Sequence, residues 1–514
     1  MGEATKASTD VLVVGAGPTG LALACSLLQH GVPVRVVDKA PGPATTSRAN
    51  ILHGRGVEVL NRLGALGDLP QRSIEPIKLA TYVNGRPLIT LDLLDLFNVT
   101  GAQYRPMYVS QAEIEAGLRG RLAELGGAVE WDSPLVEAEQ DDSGVTATLG
   151  KEQTARAGWL VGCDGARSTV RKLAGIGFPG VPVIEQFLLA DVHADWGHDR
   201  SGGSVYMHRD GVVLVIPMRM VGRADDLWRL MANVPAEDEA EMDEQAIIER
   251  FRRLLPERAG VTDVRIREAA WTSVFRIHRR LADEYRRGRI LLAGDAAHTH
   301  SPVGGQGMNT GFGDAENLAW KLALVARGRA SEVLLDTYQV ERRPLAAEVL
   351  KTTTTNTKLL VGEGPFMRFL RDRVLLPIGN LRPLQRRNVA VASQLWVSYR
   401  RGPLGRGFRF GSRPRPGDRV PDRECVRADG GATRLHGELG GRWALLVPAS
   451  GADACVKTAA DRLGEYVTPL TRTSRFDEVW LVRPDAHLAW RGRPYPAGLE
   501  RWLEGALRHG RAGR

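Results

Sequence analysis

Apolar runs that predict buried strands alternate with a helical pattern over the first forty residues. Residues 10–14 (DVLVV) form a β-branched run, and residues 21–31 (LALACSLLQHG) predict a helix that ends at Gly31. The next apolar run, VPVRVVD, predicts a second strand that ends at Asp38. A strand, a helix and a strand in this order predict the start of a doubly wound α/β sheet.

A glycine-rich loop, GAGPTG, joins the first strand to the first helix. Gly15 permits a tight turn, Gly17 leaves no side chain in the way of a pyrophosphate, and Gly20 lets the helix and strand pack closely. The helix N-terminus offers backbone N–H groups and a positive dipole end to phosphates. Asp38, eighteen residues after Gly20, can accept the ribose hydroxyls. The pattern predicts a dinucleotide site, and by itself it leaves NAD(P) and FAD open.

Two further segments place polar side chains where strands or helices begin and end. Ser110 and Glu113 form a capping box before a helix, and Gln111 lies in its first turn. The stretch GWLVGCDGARSTVRKLAG predicts a strand that runs into Asp164 and then a short helix. Asp164 suits either a ligand site at a strand end or the N-cap of the helix that starts near Arg167.

The segment GDAAHTHSPVGGQGMNTG raises a choice between a metal site, a catalytic acid–base pair and a backbone loop that holds a large, flat ligand. GRILLAGD predicts a strand ending at Gly294 and Asp295. FGDAENLAWKLALVARG after Gly311 predicts a helix with Asp314 and Glu316 in its first turns. His298 and His300 lie two apart in an extended stretch, so their side chains point to opposite sides and do not suit one metal ion. The glycines between them and the helix favour a loop that brings bare N–H groups against a ligand.

The length of 514 residues predicts about three domains. The net charge is +9, and an arginine-rich run predicts a solvated interdomain connection. No nucleic-acid-binding pattern accompanies it.

No apolar run reaches the ~20 residues that cross a bilayer, and the polar N-terminus predicts a cytoplasmic protein. Four cysteines without a C-x-x-C pattern predict reduced thiols and no zinc site. The arginine-rich run named above comprises Arg400, Arg401, Arg406, Arg409, Arg413, Arg415 and Arg419.

The glycine loop with Asp38, the Asp164–Gly165 pair, and Gly294–Asp295 followed by SPVGGQGMN occur in this order. Together they resemble the class A flavoprotein aromatic hydroxylases, over about residues 8–350. The C-terminal stretch VWLVRPDAHLAWRG looks like the thioredoxin-like domain of the phenol and polyketide hydroxylase branch. Because this chain lacks a C-x-x-C there, no redox role is expected of that domain.

The resemblance implies FAD as cofactor and assigns roles to individual residues. Gly15, Gly17, Pro18, Gly20, Asp38 and Lys39 would hold the ADP half, and Arg48 and Gln111 the pyrophosphate and ribityl region. Asp164 would lie near the phosphates and Asp295 at the ribityl chain. Pro302, Gly305 and Gly307 would border the flavin ring, with the N–H groups of Met308 and Asn309 facing its N1–C2=O side.

The same resemblance implies the layout of the domains. The doubly wound FAD domain would take in 1–74, 106–179 and 284–350, and a β-sheet substrate domain 75–105 and 180–283. A helical connection would span 351–399, and the thioredoxin-like domain 400–514. Tyr206, His208 and Arg219 lie on the expected substrate sheet and are candidate substrate contacts.

The resemblance also implies a reaction. NADPH or NADH would reduce FAD, and O2 would form a flavin C4a-hydroperoxide that hydroxylates a phenolic or polyketide-type aromatic ring. A Baeyer–Villiger oxygenase on the same scaffold is the alternative. We expect a small aromatic substrate, no nucleic-acid or membrane partner, and a monomer or homodimer. No side chain stands out as the catalytic base.

Overall fold

A computed structural model describes most of the chain. The described residues are 8–45, 49–94, 104–151, 153–219, 225–234, 242–299, 304–361, 369–405, 414–473 and 477–507. The strands are β1 Ser8–Val14, β2 Val34–Val37, β3 Ile51–Leu52, β4 Lys78–Val83, β5 Arg86–Asp92, β6 Met107–Tyr108, β7 Val129–Glu130, β8 Leu135–Asp141, β9 Gly144–Leu149, β10 Gln153–Gly162, β11 Gly180–Asp195, β12 Gly202–His208, β13 Gly211–Pro217, β14 Leu227–Val234, β15 Arg265–Leu281, β16 Arg286–Arg287, β17 Ile290–Leu292, β18 His298–Thr299, β19 Glu424–Val426, β20 Ala432–Arg434, β21 Trp443–Val447, β22 Val467–Arg472, β23 Val479–Val482 and β24 Leu488–Gly492. The helices are α1 Pro18–Gln29, α2 Gly54–Leu63, α3 Leu69–Arg72, α4 Gln111–Glu124, α5 Thr169–Leu173, α6 Glu244–Leu254, α7 Gln306–Ala326, α8 Asp336–Val361, α9 Leu376–Gly379, α10 Arg382–Ala392, α11 Leu435–Glu438, α12 Asp453–Leu463 and α13 Pro496–Leu507.

The first sheet has the strand order β16-β17-β10-β1-β2-β7, and β17, β10, β1, β2 and β7 run parallel. Helices α1 and α7 pack together beside it. Because parallel strands end at the same edge, Gly15, Asp38, Asp164 and Asp295 all follow strands of this one sheet at its carboxyl edge. The predicted doubly wound α/β fold is confirmed.

The second sheet has the order β18-β15-β11-β14-β13-β12-β4-β5. Helix α6 covers one of its faces through a core that includes Phe251, Val213, Val215 and Tyr206. Antiparallel pairing of β11, β13, β14 and β15 fixes which side chains share the opposite face. That opposite face borders the site described below.

Helix α7 begins at Gln306, earlier than the predicted start after Gly311. Gly304 and Gly305 lie in the turn before the helix, as the predicted loop requires, whereas Gly311 lies inside the helix and serves close packing. A β-carbon on Gly311 would lie 2.2 Å from Thr19 Oγ1, so a bare residue is needed inside the helix at this point. Asp314 therefore lies in the middle of the helix and not in its first turn.

The third sheet has the order β20-β19-β22-β21-β23-β24, and only β21 and β22 pair in parallel among its described strands. With α12 and α13 it forms the predicted C-terminal thioredoxin-like domain. Trp443 on β21 contacts Trp320 on α7 edge to face, with ring centroids 5.1 Å apart. This contact docks the domain against the domain of the first sheet.

The prediction that the arginine-rich run is solvated is wrong for Arg419. Arg400 is exposed, whereas the Arg419 side chain is only 10% exposed and its Nε donates to Glu58 Oε2 over 3.0 Å. Glu58 lies on α2 and is itself buried, so it requires a cationic partner at the interface. In the described part of the chain, no helix combines the length and apolarity that a membrane span requires.

Candidate flavin and substrate site

A cavity of about 490 Å³ lies between the carboxyl edge of the first sheet and the face of the second sheet that α6 does not cover. Most residues that the sequence predicted for the cofactor border it. These are Gly15, Gly17, Pro18, Asp38, Lys39, Gln111, Asp164, Asp295, Gly305, Gly307 and Met308. Gly20 and Asn309 are buried behind it, and Arg48, Pro302 and His300 lie outside the described residues.

The glycines of the first loop differ in what surrounds them. Gly15 has φ +108°, and a β-carbon there would lie 2.4 Å from the carbonyl oxygen of Cys163. A β-carbon on Gly17 would meet no described atom within 4 Å, because this residue opens to the cavity. Gly17 is also the N-cap of α1, and no described side chain caps that helix. The loop therefore leaves an open cradle at a helix N-terminus, as phosphate binding requires.

Asp38 and Asp164 shape the strand ends through their carboxylates. Asp38 accepts from the Ala16 N–H at 2.6 Å and from the Ala40 N–H at 2.8 Å. Asp164 Oδ2 accepts from the N–H groups of Thr169 and Val170, at 2.7 and 3.1 Å. Asp164 thus helps to cap α5, although the N-cap residue itself is Ser168.

Several buried polar atoms on the cavity wall have no hydrogen-bond partner among the described residues. They are Asn50 Nδ2, Asp164 Oδ1 and Thr299 Oγ1. Unsatisfied buried polar atoms are rare in native proteins, and they indicate a ligand or water. Together with the open cradle at Gly17, they fit the phosphate, ribose and ring groups of FAD.

The turn before α7 is fixed by side chains from outside it. His53 Nε2 lies 2.7 Å from the Gly304 carbonyl oxygen, so it donates the proton there. Asn309 accepts from the His53 N–H at 2.9 Å and donates to Gly305 O at 2.8 Å. Gly305 has φ +61°, and a β-carbon there would lie 2.9 Å from Ile51 Cβ. Burial lowers the pKa of His53, which keeps the imidazole neutral.

Asp295 and Asp314 have different surroundings. Asp295 is exposed at the cavity, whereas Asp314 is completely buried. Asp314 Oδ2 accepts from His298 Nε2 at 2.7 Å and from the Gly294 N–H at 3.1 Å. Burial alone would raise the pKa of Asp314, but Arg342 and His298 outweigh it and lower the pKa. His298 therefore serves a hydrogen bond to Asp314.

Two cross-strand rows of the second sheet form the opposite wall. One row places Leu189, Met231 and Leu214 side by side, and the next places Asp191, Arg229 and Ile216 side by side. Arg229 is 2% exposed, and its Nε and Nη2 each donate to Asp191 over 2.7 Å. The wall is therefore apolar apart from one guanidinium held by a carboxylate.

The predicted substrate contacts lie elsewhere. Tyr206 pairs with Val213 across β12 and β13, which puts both on the face that α6 covers, where Tyr206 stacks on Tyr82. His208 Nδ1 lies 3.2 Å from Asp210 Oδ2, and Arg219 contacts the carbonyl oxygens of Gln71 and Ser73. None of the three is among the described residues that line the cavity.

The cavity-facing residues of β13 and β14 were missed because this part of the sequence is apolar on both faces. VVLVIP in β13 has no polar residue to show which alternate set faces the site. The available signal was Arg229, a charged residue in the mostly apolar strand LWRLMANV.

Comparisons with known proteins agree with this site. Residues 8–353 match the model of an FAD binding domain, and residues 413–509 match the model of the aromatic-ring hydroxylase C-terminal domain. The chain is 35% identical to 6-methylpretetramide 4-monooxygenase of Streptomyces rimosus, over 94% of this chain and 91% of the relative. It is 34% identical to rifampicin monooxygenase of Streptomyces venezuelae, over 94% and 95%.

Solved structures show the same likeness. The anhydrotetracycline hydroxylase OxyS of Streptomyces rimosus superposes with a TM-score of 0.78 at 31% identity, over 97% of this chain and 99% of that one. Aklavinone-11 hydroxylase in complex with FAD and aklavinone superposes with a TM-score of 0.76 at 26% identity, over 99% and 100%. The chain belongs to the FAD-dependent aromatic-ring hydroxylases, so it is a flavin-dependent monooxygenase of aromatic compounds with FAD as its cofactor.

Proposed function

We propose that the enzyme hydroxylates a polycyclic, phenolic polyketide-type substrate in the cavity between the two sheets, with NADPH or NADH as reductant. The observation that carries the proposal is the pair of unlike walls around one cavity. The glycine loops and helix N-termini form one wall, and the rows of β11, β13 and β14 form the other. The relatives that act on 6-methylpretetramide and anhydrotetracycline support a fused-ring substrate.

The cofactor wall binds and orients the flavin. When bound, FAD supplies the redox chemistry that activates oxygen. The backbone N–H groups that follow Gly17 would hold the phosphates. The unpaired Asp164 Oδ1 would accept a hydrogen bond from a hydroxyl group of the cofactor near them, and Asp295 would hold the ribityl chain. Helix α7 has no described side-chain cap at Gly305, so the N–H groups of its first turn can stabilise negative charge on the ring without reorganisation.

The substrate wall positions an aromatic ring and excludes water. Leu189, Leu214, Ile216 and Met231 offer a broad apolar surface to a flat ligand. We assign the polar contact with a phenolic or keto oxygen of the substrate to Arg229. Asp191 fixes the plane of the guanidinium through two hydrogen bonds, so the donor direction is set before the ligand arrives. A dry, preorganised wall favours oxygen transfer to the ring over loss of oxygen as peroxide.

The experiment is a substrate screen with the purified holoenzyme. NADPH and NADH consumption would be measured in the presence of anhydrotetracycline, aklavinone and, as the monocyclic control, phenol. We expect a polycyclic compound to stimulate consumption and to give a product with one added oxygen and an intact ring by NMR. A lactone product would show that the enzyme catalyses a Baeyer–Villiger reaction and not a hydroxylation. Stimulation by phenol alone would contradict the proposal of a fused-ring substrate.

A further inference from the structure

A buried chain of polar contacts runs from residues Gly294–His298, which we call the flavin loop, to the C-terminal domain. It starts at Asp314, which accepts from the Gly294 N–H and from His298 as described above. Asp314 Oδ1 accepts from Arg342 Nε at 2.7 Å. Arg342 Nη1 in turn donates to Tyr399 Oη at 3.0 Å, and Nη2 donates to the Thr310 carbonyl at 2.9 Å. These side chains are all buried, so solvent cannot replace any of the contacts.

The end of this chain of polar contacts, at Tyr399, packs against the C-terminal domain. The ring of Tyr399 packs against the His487 ring with centroids 4.3 Å apart, and the Arg483 guanidinium lies 5.0 Å from the Tyr399 ring centre. Arg483 donates to both carboxylate oxygens of Glu341, at 2.8 and 3.0 Å. Glu341 directly precedes Arg342 on α8. The same loop of the C-terminal domain therefore contacts Tyr399 and the residue beside Arg342.

Helix α7 makes room for this arrangement with a glycine. A β-carbon on Gly313 would lie 2.7 Å from Arg342 Nη2 and 3.0 Å from Nη1. Glycine destabilises the interior of a helix relative to alanine, so its presence here needs a packing reason. The Arg342 guanidinium packs directly against Gly313, and this contact is the reason.

Overall stability does not account for a buried polar chain of this length. Buried ionic networks are often matched or exceeded in stability by apolar residues of similar volume, because every charge must be desolvated. Their attested use is to specify one arrangement among several. The arrangement specified here is the position of the Gly294 N–H and His298, which lie on either side of Asp295 at the cavity.

We infer that the C-terminal domain positions the flavin loop, with Tyr399 and Arg342 as positioning residues that act on Gly294–His298 through Asp314. The domain would thus contribute to cofactor binding without contacting the cofactor. This role requires no redox chemistry of the domain, in keeping with its lack of a C-x-x-C pair.

The test compares Tyr399→Phe with Trp443→Phe. Tyr399→Phe removes the acceptor of Arg342 and keeps the ring. Trp443→Phe weakens the apolar docking of the same domain on α7 and leaves the polar chain intact. FAD dissociation constants would be measured by titration of the apoproteins, and hydrogen exchange would be followed in the apoprotein segment 290–299.

For Tyr399→Phe we expect FAD binding weaker by about three- to tenfold, the size of one hydrogen bond, and faster exchange at the Gly294 amide. The visible spectrum of the bound flavin should shift. Trp443→Phe should lower thermal stability but leave the FAD affinity and the exchange of 290–299 unchanged. Unaltered affinity and exchange in Tyr399→Phe, or equal changes in both variants, would overturn the inference.

Gly313→Ala tests the same chain of polar contacts if the Tyr399→Phe protein does not fold. Helix propensity alone predicts a more stable protein with normal FAD binding. Displacement of Arg342 predicts weaker FAD binding and faster exchange at Gly294. Normal FAD binding by a folded Gly313→Ala protein would count against the role of Arg342.

Discussion

A β-carbon on Gly20 would lie 1.9 Å from the carbonyl oxygen of Gly15, so α1 packs directly on the turn that follows β1. Gly17, between them, has open space on its cavity side and φ −74°. The two glycines therefore serve different purposes. Gly20 is required by the fold itself, whereas no described packing contact requires a glycine at position 17, where we propose that the phosphates bind.

This difference predicts opposite results for two alanine variants. Gly17→Ala should leave the thermal stability of the apoprotein unchanged or slightly raised, because alanine accepts this backbone conformation. Its methyl group would occupy the phosphate cradle, so FAD affinity should fall at least tenfold. Gly20→Ala should destabilise the apoprotein itself. Melting curves of both apoproteins, with FAD titrations, check this; normal FAD binding by Gly17→Ala would contradict the placement of the phosphates.

Asp295→Ala should weaken FAD binding while the fold survives. Asp295 is exposed at the cavity, so its removal costs the protein no internal packing. A carboxylate that accepts from hydroxyl groups contributes about 1.5–3 kcal/mol, which corresponds to roughly ten- to a hundredfold in affinity. Fluorescence titration of the apoprotein with FAD measures the effect. The matched control is Asp336→Ala, an exposed carboxylate distant in sequence that pairs with Arg286 and should leave FAD affinity as it is.

Leu214 and Val215 are neighbours on β13 that face opposite sides of the second sheet. Leu214→Ala should change the KM or the choice of aromatic substrate, with little loss of stability, because Leu214 lines the cavity. Val215→Ala should cost about 1–3 kcal/mol of unfolding free energy and leave substrate choice unchanged, since Val215 is buried under α6. Urea unfolding and steady-state kinetics distinguish the two. The reverse pattern would show that the other face of the sheet binds the substrate.

Stability should fall as the pH drops from about 7.5 to about 5.5. Burial lowers the pKa of His30 and of His436 to about 4, while in the unfolded chain these groups take up protons near their ordinary pKa of 6.5. The unfolded state therefore binds more protons in this window, and unfolding becomes easier. Each of the two histidines should contribute about 1 kcal/mol of the loss.

Melting temperatures across this pH range measure the effect, and His30→Gln should reduce its slope. The lowered pKa values of Glu58 and Glu341 act in a different window, because their stabilisation is lost only as the pH falls below their ordinary pKa of about 4.5. A melting temperature independent of pH between about 5.5 and 7.5 would contradict the neutral, buried state of these histidines.

The cofactor wall could be predicted from the sequence because its parts are local. Each strand end carries its own candidate ligand residue, and the parallel order of the strands brings Gly15, Asp164 and Asp295 to one cavity. The substrate wall could not be predicted in the same way. Apolar residues fill both faces of β13, so only the pairing register separates Leu214 from Val215.

Contacts between distant segments also lay beyond the sequence patterns. Asp314 was expected near a helix start, and Arg419 in solvent. Their partners, Arg342 and Glu58, come from helices that no local pattern links to them. The burial of Arg419 depends on how the C-terminal domain docks on α2, and the burial of Asp314 depends on how α7 packs against α8.

We propose that one oxygen atom of O2 is transferred in this cavity to an aromatic ring that rests on the wall of Leu214 and Arg229. A single turnover tests this: holoenzyme reduced by dithionite is mixed with ¹⁸O2 and the polycyclic phenol that most stimulates the enzyme. We expect a product with one ¹⁸O atom as a ring hydroxyl and the ring intact, and a much lower yield for Leu214→Trp, which would fill the cavity. Hydrogen peroxide as the only oxygen product, or label in a lactone, would show that the ring is not hydroxylated here.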